Sequence, residues 1–382
     1  MLFTREGLES REHQTLAPYA RFADRSRGRI HAEGESAHRT AYQKDRDRVI
    51  HTSAFRRLEY KTQVFANHEG DYYRTRLTHT LEVAQVGKAI ARALGLNEDL
   101  TETIALAHDL GHSPYGHAGE RTLNRLTQEM GGFDHNQQSL RVVTELEERY
   151  PQFPGLNLTW ETLEGIMKHD VVYDLPDTDL QPQRQPSLEA QVVNLADELA
   201  YNAHDLDDGL RSGHLNPKQI SEVSLVGEVM DRLDLEPSTF GAAERYTLIR
   251  ELLGYVIDNA VQHSHSCIEE TNIKTAHDIQ KAQHNIINTS PDLREQLKEL
   301  KTFLYEHFYF HYRLIRMTKK ADHVLTRIFE AYMASPDMLP TSIQLAADKR
   351  GLMRAVTDYL ASMTDRFVSD EYRRLFDPHA LT

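Results

Sequence analysis

The sequence predicts an all-α protein. Apolar residues recur at three- and four-residue spacing, as in Leu77, Leu81, Ala84 and Ala91, or Leu248, Leu252 and Val256. No segment sustains a period-two alternation, and β-branched residues do not cluster as they do in strands.

Residues 1–50 read as a mostly irregular N-terminal arm, polar and rich in Arg and Gly from residue 11 onward. A single large helical domain is expected over 51–382, with a core at about 55–215 and a C-terminal helical part from 216. HTSAFRRLEY opens it with a helix at 51–60. RLTHTLEVAQVGKAIARALG predicts a helix over 76–95, stopped by Gly95. EDLTETIALAHDL predicts another over 98–110, ahead of Gly111. HSPYGHAGERTLNRLTQ bends at Ser113-Pro114 and resumes as a helix from about 117. DHNQQSLRVVTELEERY predicts a helix over 134–150 capped by Asp134, and TWETLEGIMKHD a short one with Thr159 as its cap. Residues 174–187, rich in Pro, Gln and Asp, read as a connection. SLEAQVVNLADELAYNAHDLDDGLRSG is a long helix over 187–213. Helical stripes follow at 248–257, 274–288 and 292–332, and a terminal helix pair at 349–376. No internal repeat or low-complexity tract interrupts the pattern.

Apolar residues make up 40% of the chain and charged residues 27%, the balance of a globular protein rather than a disordered one. No run of 18 apolar residues exists, so no membrane span is expected. The opening MLFTREGLESREHQ carries no secretory pattern, and the lone Cys267 excludes an intrachain disulfide; both fit a cytoplasmic protein. The net charge of −14 disfavours wholesale binding to a polyanion. Residues 21–61 nevertheless carry eleven Lys and Arg against six Asp and Glu, which suits a local anionic ligand, a solvated loop or a subunit contact.

The chemistry concentrates in IALAHDLGHSPYGHAGE, residues 104–120, where three histidines, an aspartate and a glutamate flank a glycine-broken helix end. His108 and Asp109 are adjacent, and a helix end lets both reach one cation. His79 lies in RLTHTLE, and Asp197 follows the apolar run of Val192, Val193, Leu195 and Ala196. A carboxylate beside such a face is costly unless it is paired or bound to metal. Together His79, His108, Asp109 and Asp197 make a mixed N/O donor set suited to Mg²⁺, Mn²⁺, Co²⁺, Ni²⁺ or a similar divalent ion. The residues alone leave a satisfied salt-bridge network equally open.

These elements resemble the HD-domain superfamily of metal-dependent phosphohydrolases. TSAFRRLEYKTQVF, RLTHTLEVAQVG, ALAHDLGHSPYGHAGE, FDHNQQSLRVV, GLNLTWETLEGIMKHD and VVNLADELAYNAHDLDDG are together similar to the deoxynucleoside triphosphate triphosphohydrolases, the bacterial dGTPase-like proteins. The resemblance runs from about residue 15 to 370. It implies the helical HD-domain phosphohydrolase fold and hydrolysis of a deoxynucleoside triphosphate to deoxynucleoside and tripolyphosphate. It also implies a divalent cation and a homo-oligomer, often a hexamer, with a nucleotide or single-stranded DNA as a conceivable effector.

By motif, the resemblance assigns His79, His108, Asp109 and Asp197 to the metal. It makes His117 and Glu120 the catalytic pair, with His135 as a further active-site histidine. Arg76 and His112 fall in the triphosphate pocket, and Gln63, Tyr201 and Asp205 around the sugar. Arg56, Arg57 and Lys61 remain candidates for phosphate or subunit contact. Two other readings compete: an HD-type deoxynucleoside monophosphate phosphomonoesterase, and a nucleotide-sensing or single-stranded nucleic acid binding protein.

Overall fold

A computed structural model describes residues 2–64, 73–169, 180 and 184–380. Most of the 174–187 connection therefore lies outside the described residues. Helices dominate: α1 (Arg5–Thr15), α2 (Ala41–Ile50), α3 (Ser53–Arg57), α4 (Arg76–Ala93), α5 (Glu98–Ala107), α6 (Gly116–Leu126), α7 (His135–Arg141), α8 (Trp160–Met167) and α9 (Leu188–Arg211). The second half adds α10 (Pro217–Ile220), α11 (Ser224–Arg232), α12 (Ala242–Glu270), α13 (Ala276–Gln280), α14 (Pro291–Leu304), α15 (Tyr312–Ala334), α16 (Thr341–Arg350), α17 (Leu352–Ser362) and α18 (Asp365–Phe376). Among the described residues only isolated β-bridges occur, so the all-α expectation stands. No described helix is long and apolar enough to cross a membrane.

The central layer is α4, α5 and α9, packed on one another, with α2 against α5 and α12 against α9. Val83, Val86 and Ile90 of α4, Leu100 and Ile104 of α5, and Val192, Val193 and Leu199 of α9 are fully or almost fully buried there. Truncating any one large member to Ala costs about 2–5 kcal/mol in a core of this kind. A second apolar cluster joins α6 to α15, α17 and α18 through Leu123, Leu325, Ile328, Val356, Leu360 and Val368.

Two local expectations need correction, and the N-terminal arm, irregular over most of the stretch between α1 and α2, is tied down along its length. Arg27 N donates to Glu161 Oε1 at 2.9 Å, Trp160 N donates to Gly28 O at 2.9 Å, and Arg29 reaches the carboxylate of Asp45. The helix expected over 274–288 shrinks to α13, because Ile286 N and Ile287 N donate to Gln191 Oε1 on α9 at 2.7 and 3.1 Å. Those backbone groups are thus unavailable to a helical ladder. Thr159 precedes α8 but does not cap it; its hydroxyl donates to Asp45 Oδ2 at 2.6 Å. Asp134 does cap α7, accepting from Gln137 N at 2.9 Å.

The end of α5 explains the glycine in HDLGH. Helix α5 stops at Ala107, and α7 crosses directly over the following turn. A Cβ on Gly111 would lie 2.2 Å from Ser139 N and 2.4 Å from His135 O, so only glycine permits the crossing. Ser139 Oγ then accepts from Gly111 N at 2.8 Å and donates to His108 O at 2.6 Å. This crossing places the His108–Asp109 turn beneath His135.

Candidate metal centre and active site

Four elements deliver the donor groups: α4 carries Arg76 and His79, the turn after α5 carries His108, Asp109 and His112, α9 carries Asp197, and His169 follows α8. His79, His108 and Asp109 offer ligand atoms within 4.8 Å of one another, and so do His108, His169 and Asp197. His79 Nε2 lies 2.8 Å from Asp197 Oδ1. His108 Nε2 lies 3.5 Å from Asp109 Oδ1 and 3.8 Å from Asp197 Oδ1.

The hydrogen bonds behind the rings fix what faces inward. His108 Nδ1 donates to Ala105 O at 2.6 Å, which leaves a lone pair on Nε2. That atom is buried with no hydrogen-bond partner among the described residues. His204 Nε2 donates to Glu82 Oε2 at 2.9 Å, and burial holds the His204 imidazole down to about 4, so the ring is neutral. Its Nδ1 therefore accepts from His79 Nδ1 at 3.3 Å, which leaves His79 Nε2 facing Asp197 Oδ1 at 2.8 Å. A ring nitrogen and a carboxylate oxygen at that distance share a cation, either a proton or a bound metal ion. The donor set fits a divalent metal ion, each imidazole being held from behind in the manner of metal-ligating histidines.

The carboxylates are primed for the same role. Burial alone would raise Asp109, but His108, Arg76 and His79 hold it well below the usual carboxylate range. Asp197 is likewise held low against burial by His169, His79 and His108. Arg76 Nη1 donates to Asp109 Oδ2 at 2.8 Å, both side chains being buried. Arg76 also lines the cavity, and its guanidinium is a group suited to bonding a phosphate or carboxylate.

Beside this centre stands a second group. Glu120 accepts from His117 Nδ1 at 3.1 Å through Oε2, and contacts His135 Nδ1 at 2.7 Å through Oε1. The His112 and His135 rings stack with centroids 3.9 Å apart, and burial and Arg76 hold His112 well below its ordinary value. Tyr115 is left-handed at φ 61°, and its N–H donates to Asp365 Oδ1 at 2.9 Å, which fixes the turn that launches α6 with His117 on it.

Two cavities meet here. One, of about 900 Å³, is lined by Arg76, His79, Asp109, His112, Asp197, the cations Arg184 and Lys301, and Lys168, which pairs with Glu164 at 2.7 Å. The other, of about 810 Å³, is lined by aromatic rings, among them Tyr115, Phe133, Tyr305, Tyr309 and Phe310. Gln63, His117 and Tyr201 line both and stand at their junction. Tyr201 and Tyr309 pair through their hydroxyls. Asp205 lies one turn beyond Tyr201 on α9, fully buried, its carboxyl raised well above the usual range by burial and by Asp208.

The structure thus brings Gln63, Arg76, His79, His108, Asp109, His112, His117, Glu120, His135, Asp197 and Tyr201 to one place. Asp205, Arg56, Arg57 and Lys61 line neither cavity. Lys61 is buried, and its ammonium donates to the carbonyls of His112 and Ala361, which ties α17 to the metal turn. Arg56 is exposed and, among the described residues, bonds His51 O at 3.4 Å. Missing from the sequence reading are His169, His204, Glu82, Asp365 and the cations Lys168, Arg184 and Lys301. His169 and His204 give a signal, each as a further His-Asp pair, in EGIMKHD and in NAHDLDD.

Residues 76–202 match the HD domain family, and residues 287–374 match the phosphohydrolase-associated domain. A deoxyguanosinetriphosphate triphosphohydrolase-like protein of Geobacter sulfurreducens is 50% identical over 378 residues, covering 98% of each chain. Proteins of the same description from Deinococcus deserti and Thiobacillus denitrificans are 49% and 47% identical, over 100% and 95% of this chain and 99% and 97% of theirs. With the HD motif seated on four converging elements and relatives of this closeness along its whole length, the chain belongs to the HD-domain family, among its dGTPase-like proteins.

Proposed function

We propose that the protein hydrolyses deoxynucleoside triphosphates to the deoxynucleoside and tripolyphosphate, with a divalent cation held by His79, His108, Asp109 and Asp197. The observation that carries this reading is the junction of the two cavities. A polyanion suits the cation-lined cavity and a planar base suits the aromatic one. The bond between them, at the 5′-oxygen and α-phosphorus, then falls beside His117 and the metal cluster. The names of the relatives support the same substrate class.

Each residue has a role in this reading. The cation, when bound, polarises a phosphoryl oxygen as a Lewis acid. Arg76 holds Asp109 and offsets phosphate charge, and Lys168, Arg184 and Lys301 receive the outer phosphates. His112 lies against the same phosphates. Water attacks the α-phosphorus, and the alkoxide-like 5′-oxygen leaves with a proton from His117. Glu120 orients His117 and His135 through its two oxygens. Gln63, Tyr201 and Asp205 surround the sugar, where the packed Tyr201–Tyr309 pair disfavours a 2′-hydroxyl. Assembly into a homo-oligomer, as a hexamer or otherwise, and response to a nucleotide or DNA effector belong to the same proposal.

The test is product analysis with the four dNTPs, each with Mg²⁺, Mn²⁺ or Co²⁺. Equimolar deoxynucleoside and tripolyphosphate are expected. In ¹⁸O-water the label should enter tripolyphosphate and not the nucleoside. Release of pyrophosphate from dNTPs, or of orthophosphate from monophosphates alone, would replace this reading with another phosphohydrolase.

A further inference from the structure

We propose that His169 is a fifth protein ligand of the divalent cation, joined to the HD residues through His108 and Asp197, with which its ligand atoms fall within 4.8 Å. The inference rests on the cation reading above and adds a residue to it.

His169 sits just past α8, is 2% exposed, and lines the same cavity as the HD residues. Its Nδ1 lies 2.7 Å from Asn194 Oδ1. The orientation of that amide is set on its other side, where Asn194 Nδ2 donates to Lys168 O at 3.4 Å. Asn194 therefore presents its oxygen, and His169 Nδ1 donates to it. In the neutral ring the lone pair is then on Nε2, on the side of Asp197. His169 Nε2 is 3.6 Å from Asp197 Oδ2, while Asp197 Oδ1 faces His79. The His108 and His169 rings stand 4.9 Å apart at 55°.

His79, His108 and His169 thus share one device: each Nδ1 donates away from the centre, and each Nε2 lies toward Asp109 or Asp197. Donor atoms about 3–4 Å apart are neighbours on an ion that holds each at about 2.1 Å. Five ligands also bear on the metal. Three histidines and two carboxylates favour an ion that accepts six donors, such as Mn²⁺, Fe²⁺, Co²⁺ or Ni²⁺, over tetrahedral Zn²⁺.

The test uses the full chain, stripped of metal and titrated with Co²⁺ by equilibrium dialysis, with the visible spectrum of the cobalt form recorded. His169→Asn retains a group able to bond Asn194 and removes the Nε2 donor. His169→Gln places an amide near the Nε2 position. His379→Asn, at an exposed histidine near the C-terminus, is the control. Expected is one Co²⁺ per wild-type chain, a dissociation constant raised at least about 10-fold in His169→Asn, and an altered cobalt spectrum. Partial recovery in His169→Gln, with helix content equal to wild type, adds support. Unchanged affinity and spectrum in a folded His169→Asn overturn the inference and leave the four-ligand site standing. A wild-type chain that binds no cation overturns the underlying reading as well. Neither readout depends on nucleotide turnover.

Discussion

His79 Nδ1 stands 3.3 Å from His204 Nδ1, and His204 Nε2 stands 2.9 Å from Glu82 Oε2, so a relay of two imidazoles ends on a carboxylate. Burial alone would raise Glu82, but His204 and Arg74 hold it down to about 2, so it remains an acceptor. Arg74 Nε in turn donates to Glu82 Oε2 at 2.9 Å. The relay fixes the tautomer of His79 from behind. His204→Ala is expected to weaken Co²⁺ binding about 10- to 100-fold, the usual cost of losing such a partner. Equilibrium dialysis measures it, and an unchanged dissociation constant would mean that α4 alone positions His79.

The Glu120–His135 contact at 2.7 Å sets a pH window. Burial would lower His135, but Glu120 more than offsets it and raises the imidazole above its ordinary value. Burial would raise Glu120, and His117 and His135 hold it well below the carboxylate range. A raised histidine contributes stability below about pH 6.5 and loses it as pH rises through its folded value. A depressed glutamate contributes above about pH 4.3 and loses it only as pH falls through its folded value. The pair is therefore worth most between about pH 4.3 and 6.5 and weakens above that. Glu120→Gln should flatten the decline in Tm from pH 6 to 8 relative to wild type. Parallel Tm curves for the two proteins would show that the contact does not titrate in this range.

The parts legible in the sequence are those that break a local rule. Asp197 interrupts an apolar helical run, and His108 and Asp109 sit where Gly111 stops a helix, so both demand an explanation beyond packing. His169 ends a helix, where a polar residue is ordinary, and its neighbours Asn194 and Asp197 arrive from α9. Asp365 is illegible for another reason. It is an acidic residue at the start of α18, which reads as a favourable helix-end charge, yet its carboxylate accepts from residues about 250 and 300 positions away. Long helices follow from periodicity. The shortening of 274–288 does not, because the competing partner is the side chain of Gln191.

Asp365 joins the C-terminal helices to the site. It accepts from Thr62 N at 2.9 Å and from Tyr115 N at 2.9 Å, and it is 5% exposed. Thr62 precedes Gln63, and Tyr115 opens the turn that carries His117. Asp365→Ala leaves two buried N–H groups without an acceptor, at about 1–3 kcal/mol each. Tm should fall by several degrees. KM for a deoxynucleoside triphosphate should rise, while Co²⁺ affinity stays close to wild type, because no metal donor moves with these loops. Loss of Co²⁺ binding in a folded variant would show that the loops and the metal turn form one unit.

Sugar recognition tests the junction of the cavities from the other side. Gln63 Oε1 is buried without a hydrogen-bond partner among the described residues, and the buried Asp205 carboxyl is within reach of the Tyr201 hydroxyl, whose ring lines both cavities. Such acceptors suit a ligand hydroxyl. Wild type should turn over a dNTP far faster than its dideoxy analogue, and Asp205→Ala should shrink that kcat/KM ratio by about 10-fold or more, as for one buried hydroxyl pairing of about 1–3 kcal/mol. An unchanged ratio would remove Asp205 from sugar contact.

His117 bears on the chemical step itself. Its Nδ1 is held by Glu120 at 3.1 Å, its side chain is 53% exposed, and it lines both cavities. Nε2 is thus the atom available to a departing 5′-oxygen. An alkoxide is a poor leaving group, and a positioned acid is typically worth about 10²- to 10⁴-fold. His117→Ala should therefore lose at least about 10²-fold in kcat while Co²⁺ affinity and KM change little. Glu120→Ala should lose less, since Glu120 acts by holding His117 and His135. The decisive substrate is one with a better leaving group at the same bond, such as the 5′-phosphorothiolate ester of a dNTP, in which sulfur replaces the bridging 5′-oxygen and departs as a thiolate without needing a proton. If His117 supplies the proton, His117→Ala should retain far more of the wild-type rate on that ester than on a dNTP. An equal loss on both substrates would make His117 a binding residue and move proton delivery to His135, which shares Glu120.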